Sequence, residues 1–193
     1  MAQQESTQPV SIEQLVAEHH SVVYGYAFRL CGNQADAEDV AQQTFLMAHK
    51  RLHQLRQPDR PVPWLLSIAR TCWLKSLRRQ RPTAAGALEL NVNEVPAPLP
   101  RGESLDTEAL QLALDQLADE FRLVLVMFYF EELSYKEIAD ALEIPPGTVM
   151  SRLSRGKAHL RKLLADAEEG GVEGDRETED PNVAKQTSPL SSN

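Results

Sequence analysis

A helix-turn-helix pattern between residues 133 and 155 constrains the fold of this chain more than any other feature. Ser134 and Glu137 form a Ser-x-x-Glu capping box, which marks the start of a short helix. Pro145 and Pro146 cannot extend that helix, but proline suits the first turn of a new one because an N–H has no helical partner there. The pattern therefore predicts two helices joined by a tight turn, with the second helix beginning near Pro146.

The second helix combines an apolar stripe with a basic surface. Its predicted core-facing residues recur at helical spacing: Val149, Leu153, Gly156, Leu160 and Leu164. A neighbouring stripe carries short donors and forked cations: Thr148, Ser151, Arg152 and Arg155. An arginine can form two hydrogen bonds with the edge of a guanine in the major groove. We expect this helix to read duplex DNA, and the alternative is an ordinary solvated cationic face.

Charge is strongly segregated along the chain. The net charge is -8 over 193 residues, which by itself argues against a nucleic-acid partner. Between residues 50 and 81, however, only one acid accompanies a set of nine cations: Lys50, Arg51, Arg56, Arg60, Arg70, Lys75, Arg78, Arg79 and Arg81. The predicted second helix is also basic, whereas residues 166–180 are mostly acidic. Two basic regions on an acidic chain predict two separate contacts with a polyanion.

Helical periodicity predicts an all-α fold. Apolar spacings of three and four predict five further helices: Ile12 to Leu30, Gln34 to Leu52, Trp64 to Arg79, Leu105 to Leu117 and Glu120 to Phe130. Between the helix that ends at Arg79 and the one that begins at Leu105, helical periodicity is lost over a proline-containing stretch. We expect two small helical domains, residues 10–81 and 104–165, joined by a flexible linker at 82–103. The second domain contains the helix-turn-helix, and an acidic, disordered tail follows at 166–193.

Other classes of protein have little support in the sequence. No apolar run approaches the length of a membrane span and the N-terminus lacks a signal-peptide core, so we expect a cytoplasmic protein without membrane insertion. Cys31 and Cys72 fit no zinc-ligand spacing and should be reduced thiols, with a redox switch as the alternative. His49 and His53 lack the glutamate of a zinc-protease motif. We predict no metal, no cofactor and no catalytic site.

Three sequence blocks, in order, carry a family resemblance. They are NQADAEDVAQQTF at 33–45, PWLLSIAR at 63–70, and LSYKEIA at 133–139 followed by GTVMSRL at 147–153. The chain resembles bacterial RNA polymerase sigma factors of the extracytoplasmic-function (ECF) group over roughly residues 12–81 and 105–164. The resemblance implies a protein that binds core RNA polymerase and directs transcription initiation at specific promoters, while catalysis belongs to the polymerase.

The resemblance also implies roles for particular residues. Docking on the core polymerase falls to one face of the second helix: Asp36, Asp39, Gln42, Gln43 and Leu46. Recognition and melting of the minus-ten promoter element fall to a loop and the helix after it: Arg56, Arg60, Arg70, Thr71, Lys75, Arg78 and Arg79. Recognition of the minus-thirty-five element falls to the basic helix, with two residues near phosphates: Thr148, Ser151, Arg152 and Arg155, then Ser154 and Lys157. An inhibitory anti-sigma factor is a further implied partner.

Some residues depart from the family pattern or allow two readings. Met150 stands where the family often has a cation, so the promoter sequence is not implied. Trp64 is a candidate platform for base stacking, although its place on the apolar stripe favours a core position. A stand-alone transcription regulator would explain the helix-turn-helix equally well, but not a second basic helix preceded by a docking pattern. A helical adaptor that binds protein alone would not explain the concentrated cations.

Overall fold

The structure, a computed structural model, describes residues 10–80 and 107–170. Within these two ranges the chain is helical and contains no β-strand, which confirms the predicted all-α class. The α-helices are α1 (Ile12–Cys31), α2 (Gln34–Lys50), α3 (Val62–Gln80), α4 (Thr107–Asp115), α5 (Asp119–Phe130), α6 (Tyr135–Leu142) and α7 (Pro146–Gly170). A short 3-10 helix, Leu52–Gln54, follows α2. The predicted linker at 82–103 lies outside the described residues.

Local capping fixes the bounds of the first two helices. The Ser11 side chain accepts a hydrogen bond from the Gln14 amide, and the Gln14 side chain accepts one from the Ser11 amide. At the other end Gly32 adopts a left-handed conformation, with φ of 76°, and its N–H donates to the Phe28 carbonyl at 2.9 Å. The Asn33 side chain then caps α2. Gly32 and Asn33 therefore end one helix and begin the next.

Helices α1, α2 and α3 form an N-terminal bundle around a shared apolar core. Buried positions of this core come from all three helices and include Val23, Leu30, Ala41, Ala48, Leu65 and Ala69. Trp73 is buried in this core, whereas Trp64 is half-buried and packs against its edge. The core position expected for Trp64 is thus only partial, whereas Trp73 is buried.

Helices α4 to α7 form a C-terminal bundle in which α7 packs against α4, α5 and α6. Val149, Leu153, Gly156 and Leu160 are all buried, so the predicted apolar stripe of α7 is confirmed. Gly156 permits a close approach of α7 to α5, because a Cβ at this position would lie 3.0 Å from Cδ1 of Leu125. Leu164, the last member of the stripe, is half-buried.

The helix-turn-helix is formed by α6 and α7. The capping box between Ser134 and Glu137 is present in both directions, as the sequence predicted. Helix α6 ends at Leu142, the next residue Glu143 has a left-handed conformation with a φ of 56°, and α7 begins at Pro146. The helix then runs to Gly170, so residues 166–170, which we predicted to begin the disordered tail, are helical instead. The rest of the predicted tail lies outside the described residues.

The two bundles are in contact. Helix α1 of the N-terminal bundle packs against α4 and α5 of the C-terminal bundle, and the buried residues of both form one continuous cluster. Across the described parts of the chain, no helix has the length and apolar character that a membrane crossing requires.

Candidate nucleic-acid interface

One face of α2 is exposed and carries the residues predicted to dock on a protein partner. Asp39, Gln42, Gln43 and Leu46 are exposed, and Leu46 keeps 57% of its surface accessible. The Asp36 carboxylate is half-buried and accepts a hydrogen bond from Asn33 Nδ2 at 2.8 Å, which ties it to the start of the helix. We call these five residues the docking face. The docking face therefore combines one exposed leucine with two carboxylates and two amides.

The opposite side of α2 holds this face in place. Its residues are all buried against α1 and α3: Ala37, Val40, Ala41, Thr44, Phe45 and Ala48. The Thr44 hydroxyl is buried as well and donates to the Val40 carbonyl at 2.7 Å. Because one side of the helix is packed along its whole length, the docking face is presented on a rigid support.

The cations predicted to contact the minus-ten element form two exposed groups. Arg56 and Arg60 lie in the loop before α3, where the Arg60 N–H donates to the Gln57 carbonyl at 3.1 Å. Lys75, Arg78 and Arg79 are exposed in the last turns of α3. Cations at the C-terminal end of a helix also interact favourably with its dipole. The structure therefore gives a basic loop and a basic helix end at the surface of the N-terminal bundle.

Two members of the same predicted set are placed differently. The Thr71 hydroxyl donates to the Ser67 carbonyl at 2.9 Å and is half-buried. The Arg70 side chain is only 11% exposed, and its guanidinium donates to the carboxylate of Glu131 in the C-terminal bundle. In this conformation Arg70 is not presented to a ligand, unlike the other predicted cations.

The first turns of α7 carry the predicted minus-thirty-five residues. Thr148, Ser151, Ser154 and Arg155 are half-buried, and the Ser151 hydroxyl donates to the Thr148 carbonyl at 3.0 Å. Arg152 is also half-buried, and its guanidinium lies 2.9 Å from the carboxylate of Glu120 on α5. Met150 is exposed between them. These positions form one surface at the N-terminal part of the recognition helix, the part that meets base edges in this motif.

Lys157 does not belong to that surface, which corrects the predicted phosphate contact. The residue is only 4% exposed, and its ammonium nitrogen lies 5.0 Å from the ring centre of Phe128 and 5.4 Å from that of Tyr129. Such geometry is a cation–π interaction with two aromatic rings. One sequence feature could have indicated this burial: Lys157 directly follows Gly156, a member of the apolar stripe of α7. The two aromatic rings that contact it lie on α5.

The sequence reasoning missed the acids that engage the predicted cations. Glu131 pairs with Arg70 and Glu120 pairs with Arg152, in each case from α5 or its end. Neither acid lies near its partner in the sequence, so no spacing rule would have joined them. The Tyr26 hydroxyl of α1 also donates to Glu131, at 2.6 Å.

The two cysteines and the histidine pair have no arrangement suited to chemistry. Burial, together with the Asp36 carboxylate, raises the pKa of the Cys31 thiol to about 12. Burial also raises the pKa of Cys72, so both thiols stay protonated near neutral pH and react slowly. Both cysteines are free. Within residues 10–80 and 107–170, no group of three or more potential metal ligands is placed to hold an ion.

Two family models match this chain. They describe sigma-70 region 2, over residues 15–83, and sigma-70 region 4, over residues 107–160. The region 2 match contains the docking face and the basic loop and helix end. The region 4 match contains the helix-turn-helix.

Several curated sigma factors are similar along most of the chain. The ECF RNA polymerase sigma factor SigE of Mycolicibacterium smegmatis is 39% identical over 160 residues, which cover 80% of this chain and 62% of that protein. The ECF RNA polymerase sigma factor SigW of Bacillus subtilis is 32% identical over 156 residues, which cover 75% of this chain and 83% of that protein. The chain thus spans less than two thirds of the first relative and most of the second.

A solved structure shares the fold. The sigma factor RpoE from Bartonella quintana, crystallised with the anti-sigma factor NepR, aligns with a TM-score of 0.57 at 23% identity, covering 85% of this chain and 98% of that one. The sequence relatives carry the assignment of family. Because SigW is more than 30% identical and is matched over most of its own length, this chain belongs to the ECF group of RNA polymerase sigma factors.

Proposed function

We propose that this chain is a promoter-specificity subunit, which joins core RNA polymerase and directs transcription initiation at promoters with two recognition elements. The observation that carries the proposal is the order of three surfaces along one chain. An exposed docking face on α2 is followed by a basic loop and helix end, and then by a capped helix-turn-helix with an arginine-bearing second helix. A stand-alone regulator would need only the last of these.

The docking face of α2 binds the core enzyme. Leu46 supplies an apolar contact, and Asp39, Gln42 and Gln43 supply charged and amide partners around it. A small apolar centre with a polar rim is the usual anatomy of a protein interface. Catalysis belongs to the polymerase, and the complex acts in the cytoplasm.

The basic loop and the end of α3 engage the minus-ten element. Opening a duplex costs unstacking and unpairing energy, and a protein offsets this cost by holding the separated strand and binding an extruded base. Arg56 and Arg60 in the loop, with Arg70, Lys75, Arg78 and Arg79 on the helix, supply the cations that hold the strand. The first turns of α7 then read the minus-thirty-five element in the major groove, through Thr148, Ser151, Arg152 and Arg155.

An anti-sigma factor is a further proposed partner. The sigma factor of similar fold from Bartonella quintana was crystallised with such an inhibitor. A protein that covered the docking face or the basic helix end of the present chain would prevent polymerase and promoter binding together.

The docking face gives the first test of this function. Leu46→Asp should weaken binding to bacterial core RNA polymerase by about tenfold or more, because a carboxylate replaces an apolar contact and loses its hydration. Val22→Asp is the matched control, since Val22 is another exposed aliphatic residue of the same bundle, on α1. Co-elution with the core enzyme on a sizing column, followed by titration, measures the effect.

Three outcomes of this experiment would count against the proposal. Failure of the wild-type chain to co-elute with an active core enzyme, while it still bound duplex DNA, would favour a stand-alone regulator. If Leu46→Asp and Val22→Asp lost core-polymerase affinity equally, the docking face of α2 would not be the specific contact. Normal binding by Leu46→Asp would do the same.

The end of α3 gives a second prediction. Arg78→Ala and Arg79→Ala should each weaken DNA binding by the holoenzyme to a similar extent on all promoter sequences, because phosphate contacts carry no sequence information. Each should reduce the slope of log K against log salt by about 1. Binding titrations at several salt concentrations measure this slope. Arg79→Lys keeps the charge and should keep the slope, and a sequence-dependent loss would argue against a phosphate contact.

A further inference from the structure

A buried charge cluster joins the two bundles. The Glu131 carboxylate, just after α5, accepts a hydrogen bond from the Tyr26 hydroxyl of α1 at 2.6 Å. The same carboxylate accepts two hydrogen bonds from the Arg70 guanidinium of α3. Only 4% of the Glu131 side chain and 11% of the Arg70 side chain are exposed. We call these three residues the interdomain latch.

The chemistry of the latch requires all three groups. A carboxylate buried to this extent is stable only with a cation and hydrogen-bond donors around it, because it has lost its hydration. Burial and the neighbouring carboxylate raise the pKa of Tyr26 well above its usual value, so its hydroxyl stays a neutral donor near neutral pH. Removing the Glu131 charge would leave the Arg70 cation buried without its partner, which disfavours the closed arrangement strongly.

Further contacts surround the latch on the same interface. The Arg29 guanidinium lies 4.3 Å from the ring centre of Phe130, next to Glu131. The Gln111 side chain of α4 donates to the Phe28 carbonyl at the end of α1, at 3.2 Å. Gly32 packs so closely against Asp115 that a Cβ there would lie 2.4 Å from a carboxylate oxygen. The bundles are therefore docked through a specific surface, and not through the latch alone.

The latch occupies a residue that the proposed function requires elsewhere. Arg70 belongs to the set that we propose faces the promoter strand, but only 11% of its side chain is exposed while it pairs with Glu131, which leaves little of its guanidinium accessible to a DNA phosphate. A carboxylate and a phosphate present similar anionic oxygens to an arginine. Residues 81–106 would reach roughly 85 to 95 Å if fully extended, so chain length does not prevent the bundles from separating.

We propose that the free chain is closed and autoinhibited, with Glu131 acting as an intramolecular substitute for a promoter phosphate on Arg70. Separation of the bundles releases Arg70 and frees the two DNA-binding surfaces to take up the spacing of their promoter elements. The proposal rests on the proposed function, because that function gives Arg70 its role. Only open molecules bind DNA, so the apparent DNA affinity equals the affinity of the open state multiplied by the fraction of molecules that are open.

The test compares Glu131→Gln with Glu132→Gln in the full-length protein. Both variants remove one negative charge, but Glu132 is the exposed neighbour of the latch residue. Small-angle X-ray scattering should show a larger radius of gyration for Glu131→Gln and no change for Glu132→Gln. Affinity for a short, mixed-sequence single-stranded DNA should rise by about tenfold or more in Glu131→Gln only, up to the limit set by the open fraction.

Further variants keep the proposal falsifiable. Tyr26→Phe removes one hydrogen bond without removing a charge, and it should give a smaller change in the same direction. It replaces Glu131→Gln if circular dichroism shows that the latter has lost helix content. If Glu131→Gln and Tyr26→Phe both kept the radius of gyration and the DNA affinity of the wild type, the latch proposal would be overturned. Failure of every variant, including the wild type, to support transcription with core polymerase would overturn the proposed function, while the scattering comparison would still decide the latch.

Discussion

Leu153→Ala is expected to lower the free energy of unfolding of the C-terminal bundle by about 2 to 5 kcal/mol, the range for truncating a fully buried leucine. Leu153 has no exposed surface and lies on the side of α7 that faces α5 and α6. The loss combines the transfer free energy of the removed carbons with the cavity that they leave. Urea unfolding followed by far-ultraviolet circular dichroism measures the change.

The control for this prediction is a substitution that conserves volume. Leu153→Met should cost less than about 1.5 kcal/mol, because methionine fills a similar space with a flexible side chain. Since Arg152 and Arg155 extend from the same helix, Leu153→Ala should also weaken minus-thirty-five recognition without touching DNA. A loss below about 1 kcal/mol would mean that α7 is not held by this stripe.

Features with local causes could be predicted from the sequence. The capping box of Ser134 and Glu137 depends on residues three apart, and the Pro145–Pro146 pair acts on the turn in which it lies. Gly32 similarly ends α1 through its own left-handed backbone conformation. Each of these signals depends on the hydrogen bonds and backbone conformation of a few neighbouring residues. Such features can therefore be predicted from a short stretch of sequence.

Pairings between distant elements could not be predicted in this way. Arg70 and Glu131 are 61 residues apart, and Tyr26 and Glu131 are 105 apart. Their contact exists because α1 packs against both α3 and α5, and no periodicity encodes which helix ends meet. The sequence predicted that Arg70 is a functional cation, but not that a carboxylate of the same chain occupies it.

Lys157 shows a different limit of sequence reasoning. The phosphate contact was implied by the family resemblance, and it agreed with the rule that a lysine on a basic helix is usually solvated. Its ammonium group instead lies over the rings of Phe128 and Tyr129 on α5. Aromatic faces are not visible in a charge count, and their position relative to α7 depends on the close approach at Gly156.

Arg152→Ala is expected to reduce discrimination at the minus-thirty-five element by about 1 to 3 kcal/mol, the value of a good bidentate contact with a base. Arg155→Ala should have an effect of the same order. The measurement is the ratio of transcription from a recognised promoter to transcription from the same promoter with a substituted upstream element. This ratio separates base recognition from a general loss of DNA binding, which lowers both activities together.

The ion pair between Arg152 and Glu120 offers a control that separates base recognition from helix packing. In the unbound chain Arg152 lies 2.9 Å from the Glu120 carboxylate, so Arg152→Ala removes an ion pair as well as a candidate base contact. A partly exposed pair contributes at most about 1 kcal/mol to stability. Glu120→Gln removes the pair but keeps the arginine, and it should leave discrimination intact. If Glu120→Gln reproduced the loss, Arg152 would act by holding α7 against α5; if neither variant changed the ratio, α7 would not read the element through this residue.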